Sequence, residues 1–433
     1  MNILHINTMD GAGGAATVAL RLAAAQGGRM LVGHKQTDND AIHTFPHELH
    51  RGLMPHTCEA QHEIGYACHG SHRLGWNPHV RWADVLHLHN LHGGYFNPWS
   101  LSALSHARPI VWTLHDMTPI TGHCAHAYDC RRWGSGCGEC KRLNTYCELS
   151  SDVSADIWNW NRTIYNASFL HIVCPSEWLA EQVRESILQD HPIQVIPNGV
   201  PTHVYRPYDR DACRTECGLP IDQPIVGCAA LAGAIQNRWK GGRDAIKIIE
   251  QVGCHYLNIG AISPTKHPQV MDCEHVAGEA RMAKVLSCLD ALLYPTHADN
   301  CPLIILEAMA CGVPVVGYAT GGVPELVRSG IDGLLRPTGD VAGVAADLRE
   351  LLAVPSLRAV LAGNARARAV AEYDHARIAE RYAAAYRDAW EAVPDGPRPL
   401  PAETITPLID CAPFRAAEAA KAEFLAHRHR IAG

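Results

Sequence analysis

The sequence predicts an α/β protein built from two doubly wound, parallel-sheet units. Three observations carry that expectation. Short apolar runs alternate with segments of helical periodicity along most of the chain, the pattern of strand–helix–strand units. At 433 residues the chain is too long for one ordinary core. A turn-forming cluster, Pro197-Asn-Gly-Val-Pro201, interrupts the alternation near its middle.

The elements follow in order. Met1-Asn-Ile-Leu-His-Ile opens the chain directly as a strand at 2–6, and an Ala-rich helix is expected at 15–25 after a glycine loop. Further apolar runs place strands at 30–33, 84–89, 109–114, 170–174 and 194–196, with a helix at 177–186. Beyond the turn cluster, strands are expected at 224–229, 254–259, 291–294 and 314–318, with helices at 243–251, 281–288, 303–311 and 323–328. From 341 to 393 the pattern is helical and rich in Ala, Arg, Leu and Glu. Residues 394–401 hold four prolines and a glycine and should be irregular, and a short helix is expected at 413–428.

Composition narrows the function classes. Hydrophobic residues make up 47% and charged residues 19%, as in a soluble globular protein. The formal net charge of −7 leaves no basic excess for a nucleic-acid partner. Residues 1–200 carry 13 Lys and Arg against 17 Asp and Glu, which argues against a strongly basic membrane-docking face; weaker peripheral contact stays open. No signal peptide is visible and no apolar run approaches the ~20 residues that span a bilayer, so a cytoplasmic location is expected. The seventeen cysteines are odd in number, and most should be small buried hydrophobes in a reducing compartment.

The most informative stretch is Asp299-Asn-Cys-Pro-Leu-Ile-Ile-Leu-Glu307, which continues as Ala-Met-Ala-Cys-Gly312. A loop carboxylate, Asp299, sits at the mouth of a helix, and Glu307 lies lower on that helix. Free backbone N–H groups near Asn300, Cys301 and Leu303 can receive an anion. Glu307 can accept from two neighbouring hydroxyls. Together they suit a nucleotide diphosphate sugar, with diphosphate at the helix start, ribose on Glu307 and sugar near Asp299. Upstream, Gln236-Asn-Arg-Trp-Lys-Gly-Gly242 falls between a strand and a helix, where doubly wound sheets bind ligands. Arg238 and Lys240 could neutralise a diphosphate leaving group there. In the first half, Asp10-Gly-Ala-Gly-Gly14 lets backbone come close to a ligand at a helix start, although its spacing is not that of a dinucleotide fingerprint. His115-Asp116 ends a strand. His87 and His89 alternate onto one face of another, with His92 beyond its end. These histidines suit an acceptor pocket or simple packing better than a metal, since no acid stands among them.

The run from Asp299 to Glu307 resembles the Glu-x₇-Glu signature of retaining family-4 glycosyltransferases, with Asp299 in place of the usual first Glu. Arg238 and Lys240 resemble that family's Arg/Lys-Gly diphosphate site, although Ala234 stands where many members carry another Arg. Gly13 and Gly14 resemble the loop that touches donor phosphate or acceptor, and His115 the His that contacts the donor sugar. Pro175-Ser-Glu-Trp-Leu, Val195-Ile-Pro-Asn-Gly-Val and Thr320-Gly-Gly-Val-Pro-Glu325 resemble further family segments. The resemblance implies a GT-B fold, two Rossmann-like domains facing a cleft. Its acceptor-binding domain would be 1–198, its nucleotide-sugar domain 199–375, and 376–433 would return as helices to the first domain. It implies retaining transfer of a hexose from a UDP- or GDP-sugar to a glycan or small-molecule acceptor. No catalytic divalent metal is expected, and the leaving phosphate would take the acceptor proton. Two other functions share the fold: nucleotide-sugar epimerisation, and non-catalytic nucleotide-sugar binding. Sequence leaves the oligomeric state open.

Cys124, Cys130, Cys137 and Cys140 form C-x₅-C-x₆-C-x₂-C within a Cys-rich insertion at about 122–147. Four thiols near Gly134, Gly136 and Gly138 suit a closed, structural thiolate site for zinc or another soft metal. Free loop thiols or disulfides are the alternative. Similar Cys-rich insertions occur in a polysaccharide-forming, colanic-acid-transferase-like branch of the family.

Overall fold

A computed structural model of the protein describes residues 1–392, except 12, 45–70, 72–73, 76, 231–232, 264–265 and 275. The expected irregular stretch at 394–401 and helix at 413–428 lie outside the described residues. The chain divides into two compact units. The first comprises Met1–Pro175, Leu179–Ile196 and the chain from Arg381 onward, and the second comprises Ser176–Trp178 and Pro197–Glu380.

The first unit is built on a seven-stranded parallel sheet. Its strands are β1 Ile3–Met9, β2 Arg29–His34, β3 Ile42–Thr44, β4 Val85–Leu88, β5 Ile110–Thr113, β6 Leu170–Cys174 and β7 Ile193–Val195, in the order β3-β2-β1-β4-β5-β6-β7. The apolar runs of β1, β4, β5 and β6 are almost wholly buried, as expected for parallel strands covered on both faces. Helices α1 Gly14–Gln26, α2 Pro78–Trp82, α3 Ser100–Ala107 and α4 Ser154–Asn166 connect them, and α5 Glu177–Arg184 begins at the boundary between the units.

The second unit carries a six-stranded parallel sheet, with β8 Ile225–Ala229, β9 His255–Ile259, β10 Val270–Cys273, β11 Ala291–Tyr294, β12 Val315–Tyr318 and β13 Gly333–Arg336 in the order β10-β9-β8-β11-β12-β13. Its helices are α6 Arg210–Cys217, α7 Gly242–Val252, α8 Glu279–Ser287, α9 Leu303–Ala310, α10 Val323–Leu326, α11 Val341–Ala353 and α12 Pro355–Glu372. The last described helix, α13 His375–Glu391, starts in the second unit and ends in the first. Among the described residues no helix is long and apolar enough to cross a membrane.

Both sheets reverse their strand order once, between β1 and β4 and between β8 and β11. Crevices at such reversals, outside the carboxyl ends of the strands, are where open α/β sheets bind ligands. Strands β3, β10 and β13 were not anticipated. Each is an edge of its sheet, three or four residues long, and mixes polar with apolar positions. Helices α2, α3, α4 and α6 were also missed; α4 interleaves Trp and Ile with Asn and Arg, so its apolar stripe is broken in sequence. Helix α10 stops short of the expected residue 328 because Val327 is extended, at φ −123° and ψ 112°.

Candidate functional site

In the second unit the loop from Gln236 to Gly242 follows β8 and enters α7. Asn237 Oδ1 accepts the backbone N–H groups of Trp239 (3.2 Å) and Lys240 (3.1 Å), which curls the loop. Thr296 Oγ1 and the His297 N–H both donate to the Trp239 carbonyl, at 3.0 and 2.7 Å, and fasten the loop to the chain after β11. Gly241 has φ 74°, and a Cβ there would lie 1.8 Å from the Pro295 carbonyl oxygen. Only glycine tolerates both conditions.

The fastened loop directs Lys240 to the end of β11. Its Nζ donates to Tyr294 OH at 3.0 Å and pairs with the Asp299 carboxylate, to which Tyr294 OH also donates. Burial and the Asp299 charge push the Tyr294 phenol well above its ordinary pKa, so it stays a donor. The structure therefore brings Lys240 and Asp299 together as an ion pair. Arg238, the other expected cation, is exposed in the turn two residues earlier, and Ala234 is buried.

Asp299 leads directly into α9. Asn300 is held by the Ser176 hydroxyl, and the Cys301 carbonyl accepts from Asn198 Nδ2 at 2.7 Å. Burial pushes the Cys301 thiol up to about 12, so it is an inert neighbour. Helix α9 begins at Leu303 behind Pro302 and has no side-chain cap, which leaves backbone N–H groups at its start for an anion. Glu307 lies on this helix and is only 7% exposed. Gly321 and Gly322 press against the carbonyls of Asp299 and Asn300, where any Cβ would clash at 2.0 Å. Glu325, in the same segment, accepts the N–H groups of Glu177 and Trp178 at 2.7 Å each.

In the first unit, Gly13 precedes α1 with φ 88° and open space where a Cβ would stand, and Gly14 is the first residue of the helix. No side chain caps α1. Asp10 does not face outward; its carboxylate accepts the Gln36 N–H at 2.6 Å and the Thr37 hydroxyl at 2.6 Å.

His115 follows β5 and lines a cavity of about 40 Å³ together with His89, His92, Trp112 and Asp116. His92 Nε2 meets Asp116 Oδ2 at 3.1 Å. Burial opposes the charge on His92, but Cys147 and Asp116 outweigh it and hold its pKa well above the ordinary value. Burial likewise opposes the Asp116 charge, and His92 and Thr118 overcome it and hold its carboxyl below the usual range. His87 does not line this cavity. It hydrogen-bonds Tyr386 OH and Thr113 Oγ1, each at 2.8 Å. The sequence reading missed His5 on β1, whose ligand nitrogen lies with those of His87 and His89 within a mutual 4.8 Å. The His-x-His alternation was visible, but the strand that joins it is eighty residues away.

The four cysteines of the insertion are free thiols. Backbone N–H groups point at two of their sulfurs: Gly122 at Cys137 (3.2 Å) and Arg142 at Cys140 (3.5 Å). His123 Nε2 lies 3.4 Å from both Cys124 and Cys140 sulfurs. Gly136, Gly138 and Glu139 take φ values of 121°, 118° and 47° to wrap the loop. Burial first, and then the neighbouring thiols, push Cys124 up to about 12. The four sulfurs are not gathered as closely as the three histidine nitrogens. Of the other described cysteines most are buried, as expected of small hydrophobes.

Two family patterns match this chain in tandem. Glycosyltransferase Family 4 matches residues 12–204, and Glycosyl transferases group 1 matches residues 231–354. The chain belongs to the family-4-like glycosyltransferases. This glycosyltransferase is 25% identical over 360 residues to a protein of Escherichia coli (strain K12) described as a colanic acid biosynthesis glycosyl transferase, WcaC; the match covers 76% of this chain and 85% of that one. Its fold is similar to sucrose-phosphate synthase from Thermosynechococcus elongatus, with TM-score 0.65, 18% identity, and 90% of this chain and 100% of that one covered. It is also similar to Anabaena HepE in complex with UDP-glucose, with TM-score 0.62, 18% identity and the same coverage. These neighbours establish the GT-B fold of the glycosyltransferase.

Proposed function

We propose that the chain transfers a hexose, with retention at the anomeric carbon, from a nucleotide diphosphate sugar to a glycan or small-molecule acceptor. The observation that carries this reading is the grouping of Lys240, Tyr294 and Asp299 beside the uncapped start of the helix that holds Glu307. In this reading Glu307 accepts the ribose hydroxyls and the N–H groups near Asn300, Cys301 and Leu303 receive the diphosphate. Lys240, aided by Arg238, stabilises charge on the leaving phosphate, where it grows in the transition state. Asp299, fixed by Lys240 and Tyr294, faces the hexose hydroxyls. The first unit contributes Gly13 and Gly14 as an approachable backbone and His115 as a contact to the sugar. HepE holds UDP-glucose, which makes that sugar the first donor to assay, with GDP-sugars beside it.

The test is turnover with and without acceptor extracts, followed by NMR of the anomeric centre in the product. Acceptor-dependent release of the nucleotide and a retained anomeric configuration support the reading. Nucleotide release with an epimerised sugar and no acceptor would make the protein an epimerase. Donor binding without turnover under any acceptor would make it a binding protein.

We also infer a structural role for Cys124, Cys130, Cys137 and Cys140 as thiolate ligands of zinc. The N–H groups aimed at Cys137 and Cys140 suit negatively charged sulfur, and a dication would offset the burial and the neighbouring thiols that push Cys124 up. Four thiolates leave no open position, so no step of the reaction would pass through the metal.

A further inference from the structure

Strands β8 and β11 of the second unit carry a charged cluster at each end. At their amino ends Asp290 is saturated. It pairs with Arg210 and Arg214 at 2.8 Å each and with Arg358 at 3.2 Å, and accepts the Ile225 N–H at 2.9 Å. At their carboxyl ends Lys240 is held far more lightly. Its partners are one carboxylate, Asp299, and one phenol, Tyr294. An ammonium has three N–H donors, and the third meets no acceptor among the described residues. The Lys240 and Asp299 side chains keep 22% and 14% of their surface open, so a ligand can reach the pair.

This lighter cluster stands where open α/β sheets bind ligands. Lys240 follows β8 and Tyr294 ends β11, the two strands between which the strand order reverses. The two sides of the pair differ in freedom. Lysine is a point charge on a flexible stem and can change partners while its loop stays pinned. Tyr294 is buried to 1% at the end of its strand. Its hydroxyl gives its proton to Asp299 and accepts from Lys240. Burial first, and then the Asp299 charge, hold the phenol well above its ordinary pKa, so that proton stays. If Lys240 turns to another anion, the charge-assisted bond from Tyr294 to Asp299 remains.

We propose that the Lys240–Asp299 pair is a latch that tells the intact donor from the nucleotide left after transfer, and that Tyr294 is the positioning residue that keeps Asp299 aimed while the latch is open. This rests on the reading of Lys240 as the counter-charge of the diphosphate. A diphosphate carries more negative charge than one carboxylate and competes with Asp299 for Lys240. Opening the pair weakens the binding of any diphosphate. A nucleotide sugar offsets that loss, because its hexose hydroxyls donate to Asp299 in place of the ammonium. The nucleoside diphosphate left after transfer has no hexose to offer. Asp299 then regains Lys240 and the product is released. The bias comes from the differential contacts of the two ligands with the open and closed pair.

The experiment is calorimetry of the full chain with inorganic pyrophosphate, UDP and GDP. Asp299→Asn keeps an acceptor for the Tyr294 hydroxyl but no charge for Lys240. It should tighten diphosphate binding about fivefold, the scale of a partly exposed ion pair that no longer has to be broken. In a Lys240→Ala background the same change should gain much less. Equal gains in both backgrounds mean plain repulsion between carboxylate and phosphate, and overturn the latch. Tyr294→Phe should lower kcat about tenfold and leave diphosphate affinity unchanged, the mark of one bond that matters only once the latch is open. A residue that merely supports packing would lower the melting temperature without that split. Should the variants fail to fold, the unaltered chain decides. Its crystal structure with bound UDP or GDP should show Lys240 Nζ on phosphate and the Tyr294 hydroxyl still on Asp299; Lys240 still paired with Asp299 there overturns the proposal. Two outcomes remove the reading of the site together with the latch: an unaltered kcat in Lys240→Ala, or no diphosphate binding to either the unaltered chain or Asp299→Asn. A fall in kcat in Lys240→Ala without tighter binding in Asp299→Asn removes the latch alone.

Discussion

At the scale of single residues the second unit presents a cation that is already engaged. Lys240 is paired with Asp299 and bonded to Tyr294, so its removal leaves a mostly buried carboxylate without its partner as well as a leaving group without its counter-charge. Lys240→Ala is expected to reduce kcat by more than tenfold and to change the dissociation constant of the donor far less, read by steady-state kinetics beside calorimetry. An unaltered kcat would remove Lys240 from the reaction. Glu307→Ala should act the opposite way. Each ribose hydroxyl that loses a charged acceptor costs ~1.5–3 kcal/mol, so donor affinity should fall by tenfold or more while the fold persists. Calorimetry that finds donor affinity intact would place the ribose elsewhere. The first unit yields a pH effect. His5, His87, His89 and His115 have pKa values lowered by burial, to about 3 for His5 and about 4 for His115. The unfolded chain takes up protons at these sites from about pH 6.5 downward, and the folded chain refuses them until its own lower values. Stability should therefore fall on acidification from pH 6.5 toward 4, by about 1.4 kcal/mol per pH unit for each fully displaced group. His92 works the other way: its contribution is complete below about 6.5 and is lost as pH rises through its elevated value. Asp116 contributes above about 3.9 and loses its contribution as pH falls through its lowered value. Urea titrations at pH 7.5 and 5.5 should show the loss, and His5→Leu should shrink the difference between them. Equal stability at both pH values would contradict neutral burial of the cluster.

At the scale of elements, the Gln236–Gly242 loop and the Cys-rich insertion are the segments whose form is least negotiable. Gly241→Ala forces a Cβ into the Pro295 carbonyl at a positive φ, and should cost about 1–3 kcal/mol, seen as a lowered melting temperature. It should also reduce kcat, because the same loop aims Lys240. The insertion is expected to carry about one equivalent of zinc that chelators remove slowly, and faster as pH falls, because thiolate ligands must be deprotonated. Metal analysis that finds no soft metal in carefully prepared protein would reduce the cluster to loop thiols. How far sequence revealed the elements depends on where each lies in its sheet. Buried central strands such as Ile110–Thr113 and Ala291–Tyr294 read as unbroken apolar runs and were located to within a residue or so. The edge strands Ile42–Thr44, Val270–Cys273 and Gly333–Arg336 have fewer neighbours to bury them. Their composition therefore carries little strand signal.

At the scale of the whole molecule, the candidate residues of the two units differed in legibility for a geometric reason. Asp299 and Glu307 lie on one loop and the helix it enters, so their spacing could be read directly, and Lys240 stands in the recognisable loop of the neighbouring strand. His5, His89 and His115 come from three strands, and Tyr294 was hidden as an ordinary strand residue; only the sheet order assembles them. That order has a consequence for synthesis. The second unit is complete once the chain has been made to Glu380, but the first is not. Tyr382 and Tyr386, near the end of α13, supply the hydroxyls that bond Thr113 and His87 in its interior. A ribosome therefore delivers the first unit's strands long before the tyrosines that finish it, and the later-made unit can close first. A segment of 1–196 expressed alone should be poorly packed and prone to proteolysis, and a peptide of 375–392 added to it should raise its protection against hydrogen exchange. The order of birth and the order of completion run in opposite directions along this chain.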